Sequence, residues 1–322
     1  VLRMTIGDYT YYSSITSNLR QSLQSCIEKI NDLYISCVKV SNHRAFINSR
    51  NLVITSGTEE IPSDNMQIEF LNVSFVYPNS NQKVLDNLNF SFGLGQKIAF
   101  SGINGAGKTT IIKLLLRFYD PTDGVILLNG KDIKSYDIKK YRKLFSVMFQ
   151  NYSNYKITIK ENISLCEDGS DEGVYKALSF VDLKIDDINL EYSKSFSDDG
   201  IILSTGQSQR LNLARTIYRK APVCILDEPS ASLDAKAEQD IFDRVFEASK
   251  NSGLILISHR LSNLQYVDKV IFLEQGKAIE IGTHEELIKL NGVYSELYGI
   301  QSKKYQSVSA NEYTKPEKKN SH

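Results

Sequence analysis

The segment GINGAGKT, residues 102–109, indicates the fold of this chain more specifically than any other. It fits the phosphate-loop pattern GxxxxGK[ST], in which glycines let backbone amides turn inward around phosphate groups. The apolar run KIAF precedes it and the helix-like run TTIIKLLLRFY follows it, so the loop joins a strand to a helix whose dipole attracts anions. The sequence therefore predicts that Lys108 reaches the β and γ phosphate oxygens and that Thr109 holds a magnesium ion.

Three further apolar runs also end in polar residues. LFSVMF ends at Gln150, VCIL leads to Asp227 and Glu228, and LILI leads to Ser258 and His259. Ligands bind at the carboxyl ends of the strands in a parallel sheet, so we expect these ends to face one site. Asp227 would hold magnesium there, and Glu228 would orient the attacking water. Glu228 alone would also suit a helix cap or a surface position, but its place beside Asp227 favours catalysis.

The stretch LSTGQSQR, residues 203–210, predicts the start of a helix. Ser204 and Gln207 have the spacing of a capping box, and Thr205 and Gly206 keep the first turn small enough for something to approach. The exposed positive end of such a helix suits an anion. Nothing nearby in the chain provides that anion, so its partner is expected elsewhere.

Composition excludes several classes of partner. The 322 residues are 41% hydrophobic and 24% charged, which is ordinary for a globular protein, and 38 Lys and Arg balance 38 Asp and Glu. The chain therefore has no overall basic field for nucleic acid or an anionic membrane surface. No run of eighteen apolar residues and no signal peptide is present. The four cysteines lie far apart without a CxxC pair, which predicts reduced thiols in the cytosol.

Patterning divides the chain into four regions. Residues 1–48 read as a helix, because apolar side chains recur every three or four positions from Ile15 to Cys37. Residues 49–65 have the composition of a linker. From 66 to 301, short apolar strands alternate with helical patterns, as in an α/β domain with a mostly parallel sheet. The polar segment 302–322 is predicted to be disordered.

Residues 66–301 resemble the nucleotide-binding domain of ATP-binding cassette (ABC) transporters. The resemblance rests on five elements in order, namely the phosphate loop, Gln150, the signature-like LSTGQSQR, the run CILDEPSASLD and His259. It implies an α/β P-loop NTPase cassette with a mostly parallel core sheet, an antiparallel β part and a helical subdomain at about 151–218. It also implies that the substrate is ATP with Mg²⁺.

The same resemblance assigns roles to individual residues. It places Tyr77 on the adenine, although a Tyr before Pro78 also suits strand-end packing. Gln150 would sense magnesium and water, and His259 would contact the γ-phosphate, although a lone His after a strand is often satisfied locally. The implied catalytic residues are Glu228, His259, Gln150 and Lys108, and the implied magnesium contacts are Thr109, Gln150 and Asp227. The implied nucleotide contacts are Tyr77, Gly102, Ile103, Asn104, Gly105, Ala106, Gly107, Lys108, Thr109, Thr110, Ser204, Thr205, Gly206, Gln207 and Asp234.

The resemblance also implies a partner for the helix that starts at Ser204. In the family two cassettes pair head to tail, so this helix would face the γ-phosphate bound to a second cassette, in a homodimer or a heterodimer. Asp234 would lie at that contact. Two positions depart from the family pattern: Thr205 replaces a usual glycine and Ala231 replaces a usual serine, and both bear on the rate of turnover.

Exporters are the branch of the family that the chain resembles. The closing segment GKAIEIGTHEELIKLNGVYSELYGIQ is similar to the end of exporter cassettes, and residues 4–30 are similar to the last helix of an exporter membrane domain. This implies a membrane domain as partner, a place at the cytoplasmic face of the cell membrane, and a cargo of the peptide or lantibiotic type. The pattern alone would also suit a soluble amphipathic helix.

Two other kinds of protein share such a cassette. DNA-repair or chromosome-organising ATPases carry a long coiled coil between phosphate loop and signature, and the interval from Lys108 to Ser204 is too short for one. Translation factors would carry two cassettes and a basic surface, whereas this chain has one cassette and a net charge of zero. A nucleotide-regulated binding module without turnover is the remaining alternative.

Overall fold

A computed structural model describes residues 5–48, 57–63, 65–78, 80–165, 169–193, 199–229, 235–249 and 252–312. The chain divides into two compact units, Val1–Leu52 and Val53–His322. The division lies within the linker predicted at 49–65. Residues 49–56 and 64 of that linker are outside the described residues.

The first unit contains one long helix, α1 (Ile6–Ile47). It begins with a capping box, because the Thr5 hydroxyl accepts from Asp8 N and the Asp8 carboxylate accepts from Thr5 N. Hydrogen bonds to the Asp8 carboxylate, first from the Thr5 hydroxyl and then from Thr5 N, hold the pKa of Asp8 below its usual value. No α1 side chain is buried, so the predicted apolar stripe is exposed. Across the described residues, no helix has both the length and the apolarity needed to cross a membrane.

The second unit alternates strands and helices in chain order. Its described strands are β1 (Gln67–Val76), β2 (Lys83–Gly93), β3 (Lys97–Gly102), β4 (Asp123–Leu128), β5 (Lys131–Asp132), β6 (Phe145–Met148), β7 (Val223–Asp227), β8 (Gly253–Ile257), β9 (Lys269–Glu274) and β10 (Lys277–Gly282). Its described α-helices are α2 (Lys108–Leu115), α3 (Ile138–Arg142), α4 (Ile159–Ser164), α5 (Asp171–Phe180), α6 (Thr205–Tyr218), α7 (Ala235–Ala248), α8 (His284–Leu290) and α9 (Val293–Glu312).

These strands form two sheets. A four-stranded antiparallel sheet has the order β2-β1-β4-β5, and a six-stranded sheet has the order β10-β9-β3-β8-β7-β6. In the larger sheet all neighbours are parallel except β10, which pairs antiparallel with β9. The predicted α/β cassette with a mostly parallel core sheet and an antiparallel β part is therefore confirmed.

The central strands β3, β7 and β8 are buried on both faces of the six-stranded sheet, and their side chains alternate between the two faces. In β3, Ile98 and Phe100 pack in a core shared with the antiparallel sheet and α2, whereas Ala99 packs in a second core with α5, α6 and α7. In β7, Ile225 joins the first core and Leu226 the second. A run such as VCIL is therefore continuously apolar because neither of its faces meets water.

Helices α4, α5 and α6 lie between β6 and β7 in sequence, inside the helical region predicted at about 151–218. They pack on one another through Ile163, Val174 and Leu211, all of which are buried. Capping boxes start α4 at Thr158 and α6 at Ser204. The sequence-based prediction of a helix start at Ser204 is thus confirmed.

The cysteines for which there is structure are free thiols. Cys26 and Cys37 are exposed on α1, and Cys224 is buried in β7, where burial raises the pKa of the thiol to about 12. A thiol with such a pKa is not a nucleophile at neutral pH. Cys166 lies outside the described residues.

The closing helix differs from the prediction for the end of the chain. Disorder was predicted from Ser302 onward, whereas α9 continues to Glu312. The physical reason is that residues 302–312 contain neither proline nor glycine, so no local signal ends the helix before Pro316. Residues 313–322 lie outside the described part of the chain.

Tyr141 provides a test of the core between the two sheets. Its ring is fully buried and its hydroxyl donates to Leu115 O over 2.8 Å, at the end of α2. Tyr141→Phe should lower the free energy of unfolding by about 1–3 kcal/mol, because the carbonyl stays buried without this donor. Urea denaturation followed by circular dichroism measures the change. The control is Tyr175→Phe, whose half-exposed hydroxyl bonds to Asp186 O, and equal effects of the two variants would contradict the prediction.

Candidate nucleotide site

The four polar strand ends singled out in the sequence meet at one edge of the sheet. Strands β3, β8, β7 and β6 are consecutive neighbours and run parallel, so their carboxyl ends point the same way. A cavity of about 630 Å³ opens at this edge. The phosphate loop, Thr110, Gln150, Glu228 and His259 all line it. The prediction that these ends face one site is confirmed.

The phosphate loop has the backbone that its glycines predict. Gly102, Gly105 and Gly107 have φ values of 141°, 81° and 97°, a region that side chains with a Cβ rarely adopt. Gly107 is the N-cap of α2, so the first amides of that helix open toward the loop. A Cβ on Gly107 would also lie 2.5 Å from Leu85 Cδ2. The loop therefore presents backbone donors and a helix dipole to the cavity.

Lys108 is held inside the loop that precedes it. Its Nζ donates to Gly102 O and to Ile103 O, each over 2.9 Å. Burial lowers the pKa of this ammonium, and the charges of Glu228 and Asp227 act in the opposite direction. Lys108 is thus a buried cation that donates to two neutral carbonyls. A negatively charged phosphate oxygen can take the place of either carbonyl as the acceptor.

Asp227 and Thr109 form a hydrogen-bonded pair behind the loop. The Thr109 hydroxyl donates to Asp227 Oδ2 over 2.8 Å, and Asp227 is 1% exposed. Burial raises the pKa of this carboxyl, while the hydrogen bond from Thr109 lowers it. One carboxylate beside one hydroxyl is the donor set of a magnesium site that is completed by phosphate and water. No cluster of three or more His, Cys, Asp or Glu suited to a metal occurs among the described residues.

Glu228 lies between Gln150 and His259. Gln150 Nε2 donates to Glu228 Oε2 over 2.7 Å, and His259 Nδ1 is 3.5 Å from Glu228 Oε1. Glu228 has a φ of 51°, an uncommon conformation for a non-glycine residue, and its amide is fixed by Ile257 O at 3.0 Å. This backbone turn directs the residue after β7 toward the end of β8. The three side chains implied for catalysis around the attacking water are therefore together.

Tyr77 packs beside the phosphate helix rather than on the cavity wall. Its ring contacts Phe75 and Tyr119 edge to face, with centroids 4.9 and 5.2 Å apart. Its hydroxyl lies 3.1 Å from Thr110 Oγ1 and accepts from Lys113 Nζ at 3.3 Å. The structure thus places Tyr77 next to α2 and half-buried, and its stacking on adenine stays a prediction.

The signature-like helix start does not line the cavity that holds the phosphate loop. Ser204, Gly206 and Gln207 lie outside the lining of that cavity, and Ser204 and Gln207 cap the helix for each other. Thr205 lines a separate cavity of about 300 Å³, which Gln150 and Glu228 also border. Asp234 and Ala231 lie outside the described residues.

Two of the wall residues that the sequence did not indicate come from one helix. Leu297 and Gln301 come from α9 and line the cavity with the phosphate loop. Their spacing of four residues predicts one face of a helix, but it does not say what that face meets. Only the packing of α9 against the segment after β8 brings them to the site.

Comparisons with known proteins agree with this geometry. A family model described as ABC transporter matches residues 85–231. The chain is 33% identical to the subtilin transport ATP-binding protein of Bacillus subtilis over 92% of its length and 49% of that protein. It is 34% identical to the nisin transport ATP-binding protein of Lactococcus lactis subsp. lactis, over 92% of the chain and 51% of that protein. It is 37% identical to an ATP-dependent lipid A-core flippase of Methylobacillus flagellatus, over 77% of the chain and 43% of that protein.

A solved structure shares the architecture. The structure of a bacterial Atm1-family ABC exporter with ATP bound superposes with a TM-score of 0.73 at 27% identity, covering 92% of this chain and 52% of that one. The chain spans about half the length of the curated relatives it matches. With the phosphate loop, the buried Asp227 and the group around Glu228 at one sheet edge, these matches show that the chain belongs to the ABC transporter family and carries that family's ATPase domain.

Proposed function

We propose that the chain binds ATP with Mg²⁺ in the cavity at the sheet edge and hydrolyses it to power export through a membrane domain. The convergence of the phosphate loop with Gln150, Glu228 and His259 on one cavity carries this proposal. The ATP-bound exporter of similar architecture supports it. The chain would then work at the cytoplasmic face of the cell membrane.

The phosphates are bound by charge and by backbone donors. Lys108 exchanges its two carbonyl partners for the β and γ oxygens, and the amides at the start of α2 face the same anion. Thr109 and Asp227 hold Mg²⁺, with Gln150 as a further contact at the rim. Magnesium supplies neutralisation of the charge that develops on the phosphates. Tyr77 carries the adenine from its place beside α2.

Glu228 is the residue that polarises the attacking water. Its carboxylate accepts from Gln150 Nε2 over 2.7 Å and lies 3.5 Å from His259 Nδ1, so the hydrogen bond from Gln150 gives it a defined position. His259 contacts the γ-phosphate from the end of β8. Positioning and electrostatic stabilisation are the main sources of catalysis in phosphoryl transfer, and this arrangement provides both.

A second cassette completes the site. The helix start at Ser204 is exposed and lies outside the cavity lining of its own chain, which supports its use by a nucleotide on a partner. Thr205, Gly206 and Gln207 would join that contact, and Asp234 would lie beside it. The partner is a second ABC cassette, either identical or different.

The cargo is proposed to be a peptide of the lantibiotic class. The subtilin and nisin transport proteins match 92% of the chain, whereas the lipid A-core flippase matches 77%. The export branch rather than a DNA-repair, translation or purely regulatory role is supported by the same relatives. Secretion of such a peptide by cells that carry the intact gene is the observation that tests the assignment.

The first prediction of the proposed function concerns Lys108. Lys108→Ala should abolish hydrolysis and weaken ATP binding, because it removes the cation from the β and γ oxygens. Phosphate release and a nucleotide titration measure the two effects. Lys176→Ala, an exposed lysine paired with Glu172 on α5, is the control and should behave as the parent. Parental hydrolysis by Lys108→Ala would contradict the phosphate-loop assignment.

A second prediction concerns the proposed adenine contact. Tyr77→Ala should raise the ATP concentration for half-maximal rate on the order of tenfold with little change in kcat, because base stacking contributes about 1–3 kcal/mol equally before and during reaction. Steady-state kinetics over a range of ATP concentrations measures it. Tyr175→Ala, half-exposed on α5, is the matched control. An unchanged ATP dependence would assign Tyr77 to packing against Phe75 and Tyr119.

A third prediction tests the second cassette. Glu228→Gln should bind ATP but hydrolyse it at least about 100-fold more slowly, because the general base is lost. Trapped ATP should then hold two chains together, as a ligand shared by both stabilises their complex. Adding Ser204→Arg places a bulky side chain where the partner's phosphate would lie, and should return the protein to monomers that still bind ATP.

Light scattering with ATP and magnesium, beside a nucleotide titration, measures this prediction. The control is Glu228→Gln combined with Ser302→Ala, which leaves the helix start at Ser204 intact and should remain dimeric. Dimers that persist in the variant with both Glu228→Gln and Ser204→Arg would contradict the head-to-tail arrangement.

A further inference from the structure

The closing helix α9 reaches the nucleotide cavity through one polar side chain. Leu297 and Gln301 line the cavity wall from this helix, beside His259 and Leu261. Leu297 adds apolar surface, whereas Gln301 has a carboxamide that can donate and accept at once. The contacts of that carboxamide are with the loop that carries His259.

Gln301 bonds to the backbone on both sides of Arg260. Its Nε2 donates to His259 O over 2.8 Å, and its Oε1 accepts from Leu261 N over 3.0 Å. A planar group with two fixed bonds sets both the distance and the tilt of the loop relative to α9. The carboxamide provides a neutral donor and an acceptor in one plane at the end of a flexible side chain.

The helix that carries Gln301 is itself anchored to the domain core. The Glu280 carboxylate accepts from Val293 N over 2.7 Å and from Tyr294 N over 3.3 Å, which caps the first turn of α9. Tyr294 is fully buried, and its hydroxyl lies 2.7 Å from His284 Nδ1. Gln301 therefore projects from a fixed support, two turns beyond this anchor.

The imidazole of His259 has little packing of its own. Its side chain is 50% exposed, and it lies 3.5 Å from Glu228 Oε1. The loop around it is held by the hydroxyl of Ser101, which donates to Ser258 O over 3.0 Å, and by an ion pair between Arg260 and Glu238. These contacts fix the neighbours of His259, and the carbonyl of His259 itself is bonded to Gln301.

We propose that Gln301 is a positioning residue for His259, holding the loop after β8 so that the imidazole stands beside Glu228 and over the phosphates. The inference rests on the proposed function, in which His259 contacts the γ-phosphate during hydrolysis. It extends that site to the closing helix. Gln301 acts through the backbone of His259 and touches neither the water nor the phosphate.

Kinetics of the full chain give the first test. Gln301→Met keeps length and flexibility but removes both hydrogen bonds, and it should lower kcat about tenfold, since a small misplacement of a catalytic group is costly. The KM for ATP should change less than about twofold, because Lys108, the amides of the phosphate loop and Tyr77 are unaltered. Ser302→Ala, whose hydroxyl bonds to Gly299 O of its own helix, is the matched control and should equal the parent.

A double-mutant cycle tests whether Gln301 acts through His259. Adding Gln301→Met to His259→Ala should cause no further fall in kcat, because the group being positioned is already absent. Equal losses from Gln301→Met in both backgrounds would overturn the proposal. So would a parental kcat in Gln301→Met, or a loss that Ser302→Ala reproduces.

A spectroscopic measurement separates this proposal from the proposed function. With histidine labelled by ¹³C at Cε1, the resonance of His259 is identified by its disappearance in His259→Ala. It should shift or broaden in Gln301→Met, while the resonance of His284 stays in place. A chain that hydrolyses no ATP would refute the proposed function, and the His259 resonance would still decide the positioning role. A His259 resonance that is unchanged in Gln301→Met would refute the positioning role.

Discussion

The hydrogen bond between Thr109 and Asp227 joins two parts of the site that are 118 positions apart in sequence. Thr109 is in the first turn of α2, after β3, and Asp227 ends β7, with β8 lying between these two strands. The bond can form only if the three strands are parallel and in register, so that their carboxyl ends are level. The same register brings Glu228 to the end of β8 and His259. The grouping of Glu228 with His259 thus depends on the order and register of these strands.

Burial of Asp227 and Lys108 lowers the stability of the fold when these groups are charged. Burial raises the pKa of Asp227, so its ionisation favours the unfolded chain as pH rises through the unfolded value of 3.8. Burial lowers the pKa of Lys108, so its protonation favours the unfolded chain as pH falls through 10.5. Each shift therefore opposes folding wherever the group is charged in the folded chain. A ligand that brings phosphate to Lys108 and a divalent cation to Asp227 offsets them and should stabilise the domain.

Much of this arrangement could be predicted because it is local. The capping box of Ser204 with Gln207, the strand-loop-helix around GINGAGKT and the polar ends of apolar runs each depend on neighbours in sequence, and the structure confirms all three. The positive φ of Glu228 and the approach of α9 to the cavity could not be predicted. Both depend on contacts across the sheet edge, and no spacing in the sequence encodes them.

The prediction for Tyr77 shows the same division between local and distant causes. The sequence placed Tyr77 at the end of an apolar strand, and the structure has it directly after β1. Its packing against Tyr119 and its hydrogen bond with Thr110 join segments 33 to 42 positions away, and the sequence could not weigh them against stacking on a base.

The two loops that meet at Glu228 are supported by different helices. Gln150 begins a segment that is bound to α6, where Asn212 Nδ2 donates to Asn154 Oδ1 over 2.7 Å and Arg215 donates to Ser153 O over 3.2 Å. His259 instead belongs to the loop fastened to α9 by Gln301. Since α6 begins at Ser204, these hydrogen bonds link the segment after Gln150 to the helix whose start is proposed to meet a second cassette. The side chains on the two sides of Glu228 are therefore supported by separate helices, Gln150 through α6 and His259 through α9.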